Sequence, residues 1–416
     1  MAAAELPIDG SSLIEPASYA ENGYPHPEWA QLRQTAPVER FEPEGWPAFW
    51  AITRHADIVE ISKNPQSFLS KDGINFERLS SVLRSEAEVP MRTIIEMDNP
   101  DHRKYRAVAS KFFTPRSLGA WDHIVEEMAK KIVDGLGEEG EADFVADVAS
   151  VHPLKIISRI LGAPEEDEPF ILKTTNEIFG RDDPEFQREG MDAGQSVIAA
   201  AMDFAGYFAK ILADRRENPK DDLVSIFANA KIDGEPMNDM DTMGYCLVMF
   251  IAGHETTRGA LSGGMKALLD HPDQLAAWRE NPGHTKTAVE EILRYVTPVN
   301  TMARTVAEDI EIGGRALSAG ERLIMFYASA NRDEAVFEDA NSFRIDRHPN
   351  PHLAFGIGEH FCLGTHLARK TTAALFGELV PRLEHVEPIG DASRVASNLV
   401  PGVKHLPIRY RIRPTA

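Results

Sequence analysis

The feature that most constrains the fold is a long stretch of helical spacing at residues 239–270. Its first half contains the most apolar segment of the chain, MGYCLVMFIAG at 243–253, and it ends at His271-Pro272. Proline at that point stops a helix. A helix of roughly 30 residues is about 45 Å long at 1.5 Å per residue. The apolar segment is shorter than the roughly 20 residues that span a bilayer, so we expect a soluble protein.

The rest of the chain is predicted to be mainly helical, with small sheets near both ends. Helical spacing with capping or stop signals predicts helices at 55–65, 98–115, 121–137, 186–216 and 285–296. Aromatic and β-branched residues predict a strand at 46–53, and residues 66–96 are predicted to be irregular. Alternation predicts a hairpin within 306–326 that turns at Gly313-Gly314, and an edge strand at 406–413.

Composition favours one large domain. The 416 residues are 43% hydrophobic and 26% charged, with no low-complexity linker and no fixed-period repeat. Within that domain we distinguish a β-richer part at about 1–96, a helical core at about 97–300 and a mixed region at about 301–416. Lys and Arg total 44 against 65 Asp and Glu, and the net charge of -21 argues against general nucleic-acid binding.

Cysteine content and the N-terminal segment indicate a cytoplasmic protein. The chain contains two cysteines, Cys246 and Cys362, which excludes a disulfide scaffold and fits a reducing compartment. The segment MAAAELPIDGSSLIEP lacks the basic and apolar regions of a secretory signal.

Cys362 lies in an unusual setting, the glycine-rich loop FGIGEHFCLG at 355–364. A lone cysteine is most often a buried hydrophobe, and otherwise a nucleophile or a metal ligand. No Cys or His lies at zinc spacing, whereas one thiolate alone can be the axial ligand of haem iron. Gly356, Gly358 and Gly364 would let the backbone approach a flat macrocycle, and backbone N–H groups could bond the sulfur.

Two further motifs carry polar groups at informative positions. Glu291 and Arg294 of EEILR share a helix face and can pair, although a solvated surface pair is the ordinary interpretation. AGHETT at 252–257 places a carboxylate and two hydroxyls after a nearly continuous apolar run. The ordinary interpretation is the polar face of an amphipathic helix, but the apolar run favours a groove where an acid and an alcohol pass protons.

Four basic residues could bind an anionic ligand near the cysteine loop. His102 and Arg106 are four residues apart on one predicted helix face, Arg304 follows the break at Pro298, and His360 precedes Cys362 by two residues. Each alone is more typical of a surface residue. Together they fit a cofactor with two carboxylates.

These motifs resemble the cytochrome P-450 family. FGIGEHFCLG matches its haem loop at Phe355, Gly356, Gly358, His360, Cys362 and Gly364. AGHET resembles the oxygen-activating helix, EEILR its E-x-x-R pair and MDNPDHRKYR at 97–106 its haem-propionate helix, all in family order. The resemblance implies a mainly helical, prism-shaped fold with small sheets, in which haem b lies between the long helix and the helix after the cysteine.

The resemblance also implies roles for single residues. Cys362 would be the proximal thiolate, and Glu255 and Thr256 would deliver protons during oxygen activation. His102, Arg106, Arg304 and His360 would hold the haem propionates, with Phe355, Gly356, Gly364 and Ala252 as further haem contacts. Glu291 and Arg294 would form a structural pair beneath the loop. The family often places a third, basic partner just before a phenylalanine, but here Ser342 precedes Phe343.

The implied reaction is insertion of one atom of O₂ into a C–H bond, with the other atom released as water. Within the soluble bacterial branch, PKDDLVS (219–225), SANRDEAVF (329–337) and SNLVPGVKHLPI (397–408) resemble the terpineol-oxidising monooxygenases. A compact terpenoid or aromatic hydrocarbon is therefore the expected substrate. Steroid or fatty-acyl substrates, a non-catalytic haem sensor and a peroxide-driven peroxygenase are the alternatives.

By analogy with the family, the substrate pocket would be formed by residues from several parts of the chain. These are residues in 76–96 and in the 170–200 region, together with Met249, Ala252, Gly253, Val299, Asn300 and Thr301.

Electrons must come from another protein, because the chain has no G-x-G-x-x-G dinucleotide fingerprint. We expect a ferredoxin, reduced by a ferredoxin reductase with a nicotinamide cofactor. Five basic residues are predicted to form its docking patch on the proximal face: Arg103, Lys104, Lys111, Arg369 and Lys370. Ordinary solvated side chains are the alternative interpretation for each of them.

Overall fold

The computed structural model of the chain describes residues 8–79 and 92–414. Its α-helices are α1 (Pro16–Asn22), α2 (His26–Thr35), α3 (His55–Lys63), α4 (Asp101–Ser110), α5 (Pro115–Leu118), α6 (Asp122–Gly135), α7 (Val151–Leu161), α8 (Glu168–Phe179), α9 (Ala193–Glu217), α10 (Leu223–Ala228), α11 (Asp239–Asp270), α12 (Pro272–Glu280), α13 (Thr285–Val296), α14 (Tyr327–Ala330) and α15 (Thr365–Arg382).

The β-strands are short and are grouped in several small sheets. They are β1 (Val38–Phe41), β2 (Phe49–Ile52), β3 (Phe68–Leu69), β4 (Glu139–Asp143), β5 (Lys231–Ile232), β6 (Glu235–Pro236), β7 (Thr301–Val306), β8 (Ile310–Ile312), β9 (Arg315–Leu317), β10 (Arg322–Phe326), β11 (Leu383–Pro388), β12 (Ser393–Arg394), β13 (Val403–His405) and β14 (Pro407–Ile412). The largest sheet has the order β1-β2-β10-β7-β3, so it joins N-terminal strands to strands after residue 300.

The long helix α11 runs through the protein, and six other described α-helices pack against it. It contacts α7, α9, α10, α12, α13 and α15. Its N-terminal half, with Tyr245 and Phe250, belongs to one apolar cluster, whereas its C-terminal half, with Leu261 and Met265, belongs to a second. The AGHETT segment lies between these two clusters.

Several predicted elements are confirmed, and two of the helices match at both ends. Helices α11 and α13 occupy the predicted 239–270 and 285–296. The predicted hairpin is formed by β8 and β9, and Gly313 and Gly314 adopt positive φ angles of 57° and 76° at its turn. Glycine is favoured there because other residues are strained in this conformation.

Helix α9 begins later than the predicted residue 186. Asp192 caps it, because its side chain accepts from the Gln195 N–H at 2.9 Å while Gln195 Oε1 accepts from the Asp192 N–H at 3.1 Å. This reciprocal capping box starts the helix at Ala193. Residues Pro184–Phe186 instead form a separate 3₁₀ turn.

The prediction of an edge strand at 406–413 is wrong. Strand β14 is the central strand of a three-stranded sheet in the order β11-β14-β4. Its exposed Arg409 pairs with Glu141 on β4 at 2.8 Å and with Glu387 on β11 at 2.9 Å. Alternation shows that one face of a strand is buried, but it does not show whether both edges are paired. The strand β4, sequence EGEAD, has no apolar alternation that would have indicated a neighbour.

Helix α9 is the one described helix whose length and apolar composition would allow it to cross a membrane. It packs along α8 and also contacts α10 and α11. Core helices of soluble proteins meet the same criteria, so this helix alone is weak support for a membrane span.

Candidate active site

An apolar cavity of about 250 Å³ lies between α11 and the cysteine loop. Helix α11 contributes a continuous strip of its wall, from Val248 and Met249 through Ala252 and Gly253 to Thr256. Other apolar lining residues come from distant parts of the chain: Ile74, Ile94, Ile95, Phe179, Val299, Met302, Leu399 and Val400. Residues 80–91 of the predicted pocket segment 76–96 lie outside the described residues.

The cysteine loop is shaped by two glycines with positive φ, 63° at Gly356 and 78° at Gly358. A Cβ at Gly358 would overlap the carbonyl oxygen of Ser62, whereas a Cβ at Gly356 would meet nothing closer than 3.9 Å. Gly358 therefore allows α3 to pack directly on the loop. The Cys362 N–H donates to the Phe355 carbonyl at 2.9 Å, which closes the loop and points the cysteine at the cavity.

The Cys362 sulfur lies in a partly electropositive setting. Burial raises the pKa of its thiol, while the Gly364 N–H and the charges of Arg106 and Arg369 act to lower that pKa. The other cysteine, Cys246, is fully buried in α11, where desolvation raises its pKa above the usual range. Of the two thiols, Cys362 alone lines the cavity.

The four predicted cations converge beside the loop. The rings of His102 and His360 lie 4.2 Å apart between centroids, and both line the cavity together with Arg106 and Arg304. None of the four forms an ion pair with another residue of 8–79 or 92–414. Burial lowers the pKa of each, and that of His360 falls to about 3 under the added repulsion of Arg304, His102 and Arg106.

Among the described residues no carboxylate forms an ion pair with this cluster, and Asp98 and Glu359 act on it only at longer range. Within residues 8–79 and 92–414, Arg304 is 7% exposed and donates only to the neighbouring Ala303 carbonyl at 2.7 Å, and the buried Nε2 atom of His102 has no hydrogen-bond partner. Buried charges are normally paired. The residues present therefore fit a cofactor that brings two carboxylates to this cluster and a metal to the Cys362 sulfur.

Glu291 and Arg294 are fully buried rather than on the surface, which excludes the ordinary interpretation of the E-x-x-R pair. Arg294 donates to the two Glu291 oxygens at 2.7 and 2.8 Å and to the carbonyls of Asn331 and Ala340. The third basic partner is Arg347, whose Nε lies 3.1 Å from Glu291 Oε2. It follows Phe343 instead of preceding it, and Ser342 contributes only its carbonyl.

Thr256 and Glu255 lie in different surroundings. Thr256 lines the cavity, and its hydroxyl donates to the Ala252 carbonyl one turn earlier, at 2.6 Å. Glu255 is 2% exposed and is held by the Arg258 guanidinium and by His254 Nδ1 at 3.1 Å. Burial raises the pKa of Glu255, but Arg258 and His254 outweigh that effect and hold it below its usual value.

The two residues that bind the Glu255 carboxylate, Arg258 and His254, were not predicted from the sequence. Arg258 also donates to Asn176 Oδ1 on α8 at 3.1 Å, and His254 Nε2 contacts the Ser150 carbonyl at 3.1 Å. The i to i+3 spacing of Glu255 and Arg258 on one helix face was the available signal.

Two predicted pocket residues do not line the cavity. Asn300 and Thr301 are buried and bond instead to the Asn398 carbonyl, at 3.0 and 3.1 Å. Their neighbours Val299 and Met302 do line it. Met249, Ala252 and Gly253 lie on the wall as predicted, and Leu399 and Val400 are wall residues that sequence reasoning missed.

Most of the predicted docking patch is neutralised by neighbouring carboxylates. Lys104 pairs with Asp233, Lys370 pairs with Asp122, and Arg369 donates to Glu290 at 2.6 Å while lying 4.5 Å from the centre of the Phe355 ring. Arg103 and Lys111 are exposed and form no ion pair with any described residue. Phe361, next to the cysteine, is 39% exposed.

A cysteine that lines an apolar cavity beside a long helix, with two arginines and two histidines that lack ion-pair partners among the described residues, is typical of a haem-thiolate protein. The family model described as Cytochrome P450 matches residues 43–398. The chain belongs to the cytochrome P450 family, which binds haem b, and it is a P450 monooxygenase.

Named relatives span nearly the whole chain. Cytochrome P450-terp of a Pseudomonas species is 35% identical over 412 residues, 96% of each chain, and the steroid C26-monooxygenase of Rhodococcus jostii is 35% identical over 97% of this chain and 85% of its own. Among solved structures, CYP108D1 from Novosphingobium aromaticivorans has a TM-score of 0.87 at 35% identity, covering 97% of this chain and 98% of its own. CYP268A2 from Mycobacterium marinum in complex with pseudoionone has a TM-score of 0.88 at 35% identity, covering 98% of this chain and 100% of its own.

Proposed function

We propose that this P450 hydroxylates a compact hydrophobic molecule, a terpenoid or an aromatic hydrocarbon, with O₂ and electrons from a ferredoxin. The observation that carries the proposal is the chemistry of the cavity wall. Apart from the two arginines and two histidines beside the cysteine loop, the described lining residues include no Lys, Arg, His, Asp or Glu. A substrate without an anionic group fits such a wall, because an unpaired carboxylate would be costly to bury there.

The relatives support the same substrate class without deciding it. Cytochrome P450-terp is among them, and CYP268A2 was solved with pseudoionone. The steroid C26-monooxygenases, at 34 to 36% identity, support the alternative of a steroid substrate.

In this proposal the chain holds haem b through residues that the cavity brings together. Cys362 would supply the thiolate that binds the iron. The two propionates would be bound by His102, Arg106, Arg304 and His360, and the macrocycle would contact Phe355, Gly356, Gly364 and Ala252. When bound, haem supplies a thiolate-ligated iron at which O₂ is activated. The buried Glu291–Arg294–Arg347 cluster stabilises the segment that carries the cysteine loop.

Thr256 and Glu255 move the protons. The Thr256 hydroxyl gives its own hydrogen to the Ala252 carbonyl, so its free lone pair can accept a hydrogen bond within the cavity. Glu255 is kept ionised by Arg258 and His254, which makes it a proton acceptor adjacent to Thr256. Together they pass protons toward the reacting oxygen while the apolar wall excludes bulk water.

A ferredoxin, reduced by its ferredoxin reductase with a nicotinamide cofactor, supplies the electrons. The docking face proposed for it is centred on the free cations Arg103 and Lys111 and the exposed ring of Phe361. Lys104, Arg369 and Lys370, which pair within the chain, contribute less to long-range attraction. The protein is proposed to be soluble and cytoplasmic, which is consistent with two free cysteines and the acidic composition.

Spectral titration of the ferric protein tests the substrate proposal. Terpenes and aromatic hydrocarbons are expected to shift the iron spin state at lower concentrations than steroids or fatty acids of similar solubility. Tighter binding of steroids would replace the proposed substrate class. Product formed with O₂ and a ferredoxin system, and not with peroxide alone, is expected for the monooxygenase, and the reverse result would indicate a peroxygenase.

A further inference from the structure

The loop formed by residues 396–400, near the C-terminus of the chain, forms one part of the cavity wall. It lies between β12 and β13 and presents Leu399 and Val400 to the cavity. Both side chains are aliphatic, so their position changes the shape of the cavity and not its charge. The residues that hold this loop in place therefore influence which ligands fit in the cavity.

One end of the loop is held by a buried carboxylate from the segment between α8 and α9. Asp183 is 2% exposed, and its Oδ2 accepts the Ala396 N–H at 3.0 Å. The ammonium of Lys404, on β13, donates to both Asp183 oxygens at 2.9 and 3.0 Å. Asp183 thus joins the start of the loop to the strand β13 that follows it, and it does so with a charge that is shielded from water.

The other end is held by residues that follow the break at Pro298. The Asn300 N–H donates to the Leu399 carbonyl at 2.8 Å, and its side-chain amide donates to the Asn398 carbonyl at 3.0 Å. Thr301 donates to the same carbonyl at 3.1 Å. The Asn398 amide in turn donates to the carbonyls of Ile14 and Phe76, at 2.9 and 3.2 Å.

We propose that Asp183 and Asn300 are positioning residues that set substrate selectivity by fixing the loop that carries Leu399 and Val400. Neither side chain lines the cavity, so their effect on a ligand is transmitted through the two aliphatic side chains. The inference rests on the proposed function only in requiring ligands that enter this apolar cavity.

The same contacts join two parts of the wall. Asp183 lies four residues after Phe179, which ends α8 and itself lines the cavity. A displacement of the α8–α9 connection would therefore carry both Phe179 and the loop with it. Such a link makes the selectivity of the cavity depend on a buried ion pair that no ligand touches.

The test uses two phenylimidazoles, one compact and one with a bulky ring substituent, whose nitrogen binds the iron whatever the natural substrate is. The ratio of their dissociation constants, measured by spectral titration of the haem-loaded protein, reports the shape of the wall. Asp183→Asn, Lys404→Met and Asn300→Ala are each expected to change this ratio at least fivefold, with an unchanged carbon monoxide spectrum. The matched control Glu185→Gln removes the outer carboxylate, 46% exposed, that pairs with Lys404 and His405, and it leaves the Asp183 carboxylate in place. It is expected to leave the ratio within twofold.

A double-mutant cycle separates positioning from general damage. In a background with Leu399→Ala and Val400→Ala, Asp183→Asn is expected to change the ratio less than twofold, because the side chains through which it acts are gone. A full additive effect in that background would overturn the proposal. So would an unchanged ratio in all three single variants accompanied only by a lower melting temperature. Failure of terpenes and aromatics to bind would count against the proposed function alone, since the imidazole ratio does not depend on it.

Discussion

Arg347 Nε lies 3.1 Å from Glu291 Oε2, although 56 residues separate them in the chain. Their side chains are 5% and 0% exposed, and Arg294 lies against the same carboxylate. Two arginines thus share one buried carboxylate. Their remaining donors reach the carbonyls of Glu338, Ala340 and Ser342. The cluster joins α13 to the segment that leads into the cysteine loop.

Replacing Arg347 is expected to destabilise the protein strongly. Arg347→Met removes one partner of a buried charge, and such changes cost about 3–5 kcal/mol. Arg344→Met is the control, because Arg344 is 39% exposed and its carboxylates lie at 3.6 and 4.0 Å, so the expected loss is below about 1 kcal/mol. Urea unfolding monitored by circular dichroism measures both. Equal losses would contradict the role assigned to the cluster.

Removing the Thr256 hydroxyl is expected to uncouple the reaction. Proton transfer by a positioned group contributes roughly 10²–10⁴-fold, so we expect less than about a tenth of the reducing equivalents consumed by Thr256→Ala to reach product. The rest would appear as peroxide, while haem content and ligand-induced spin shifts stay unchanged. The measurement is the ratio of product to nicotinamide cofactor oxidised. Thr257→Ala, which also alters a cavity-lining threonine, is expected to stay close to wild-type coupling.

Adding a methyl group at Gly358 is expected to disturb the cysteine loop. Its φ of 78° strains any other residue, and a Cβ there would also overlap the Ser62 carbonyl. Gly314→Ala is matched in backbone conformation, with φ of 76°, but its Cβ would meet nothing within 4 Å. The control should lose only the roughly 1–2 kcal/mol of stability that a left-handed backbone conformation costs a residue with a Cβ. Gly358→Ala should in addition reduce haem incorporation, measured as haem per protein. Equal haem content in the two variants would show that the contact with α3 is unimportant.

His405 is expected to make a pH-dependent contribution to stability. Its Nδ1 faces Asp143 and its Nε2 faces Glu185 at 2.8 Å, and the bond to Asp143 raises its pKa despite some desolvation. Because the pKa of His405 is higher in the folded state, its contribution to stability is fully present below the pKa of the unfolded state, about 6.5. The contribution is lost as the pH rises through the pKa of the folded state. The side chain is 44% exposed, so the contribution should be at most on the order of 0.5 kcal/mol.

The measurement for His405 is the difference in unfolding free energy between wild type and His405→Gln across pH 6 to 9. The difference should shrink as the pH rises. Growth of the difference toward high pH would contradict the assignment. Lys404, which also faces Glu185 at 2.9 Å, keeps its charge throughout this range because its own pKa is raised.

Reversing the two free cations of the proximal face is expected to slow reduction by the ferredoxin. The double variant Arg103→Glu with Lys111→Glu should lower the rate of reduction on the order of tenfold at low salt, since steering is electrostatic. The difference should fade as salt screens it. Lys210→Glu on α9 is the control, because it also reverses the charge of an exposed basic residue. An unchanged salt dependence in the double variant would rule out this docking face.

Local sequence patterns predicted the long helix, the hairpin turn and the chemistry of the cysteine loop. Helix α11 was predictable because proline and capping residues act within a few positions of where they stand. The meeting of the four basic residues beside the loop was also predicted, because MDNPDHRKYR and FGIGEHFCLG resemble one family closely enough to place residues far apart in the chain. Neither required knowledge of packing.

Other features depended on contacts between distant segments. Strand β14 alternates as an edge strand would, and only the pairing of β4 along its second edge makes it central. Asn300 and Thr301 bond to the Asn398 carbonyl instead of facing the cavity, and that carbonyl lies 98 and 97 residues away in the chain. No spacing in the sequence indicated that Lys404 would meet Asp183 across 221 residues.

The sequence by itself determined the class of protein and the basic residues that meet at the cysteine loop, because the cysteine, its glycines and most of those basic side chains lie within short motifs. The tertiary structure alone decided which carboxylates and carbonyls those residues share, and which apolar side chains form the wall above them. Burial and ion pairing depend on the distance between segments that the chain order does not encode locally. Arg347, not Ser342, completes the pair beneath the haem loop for that reason.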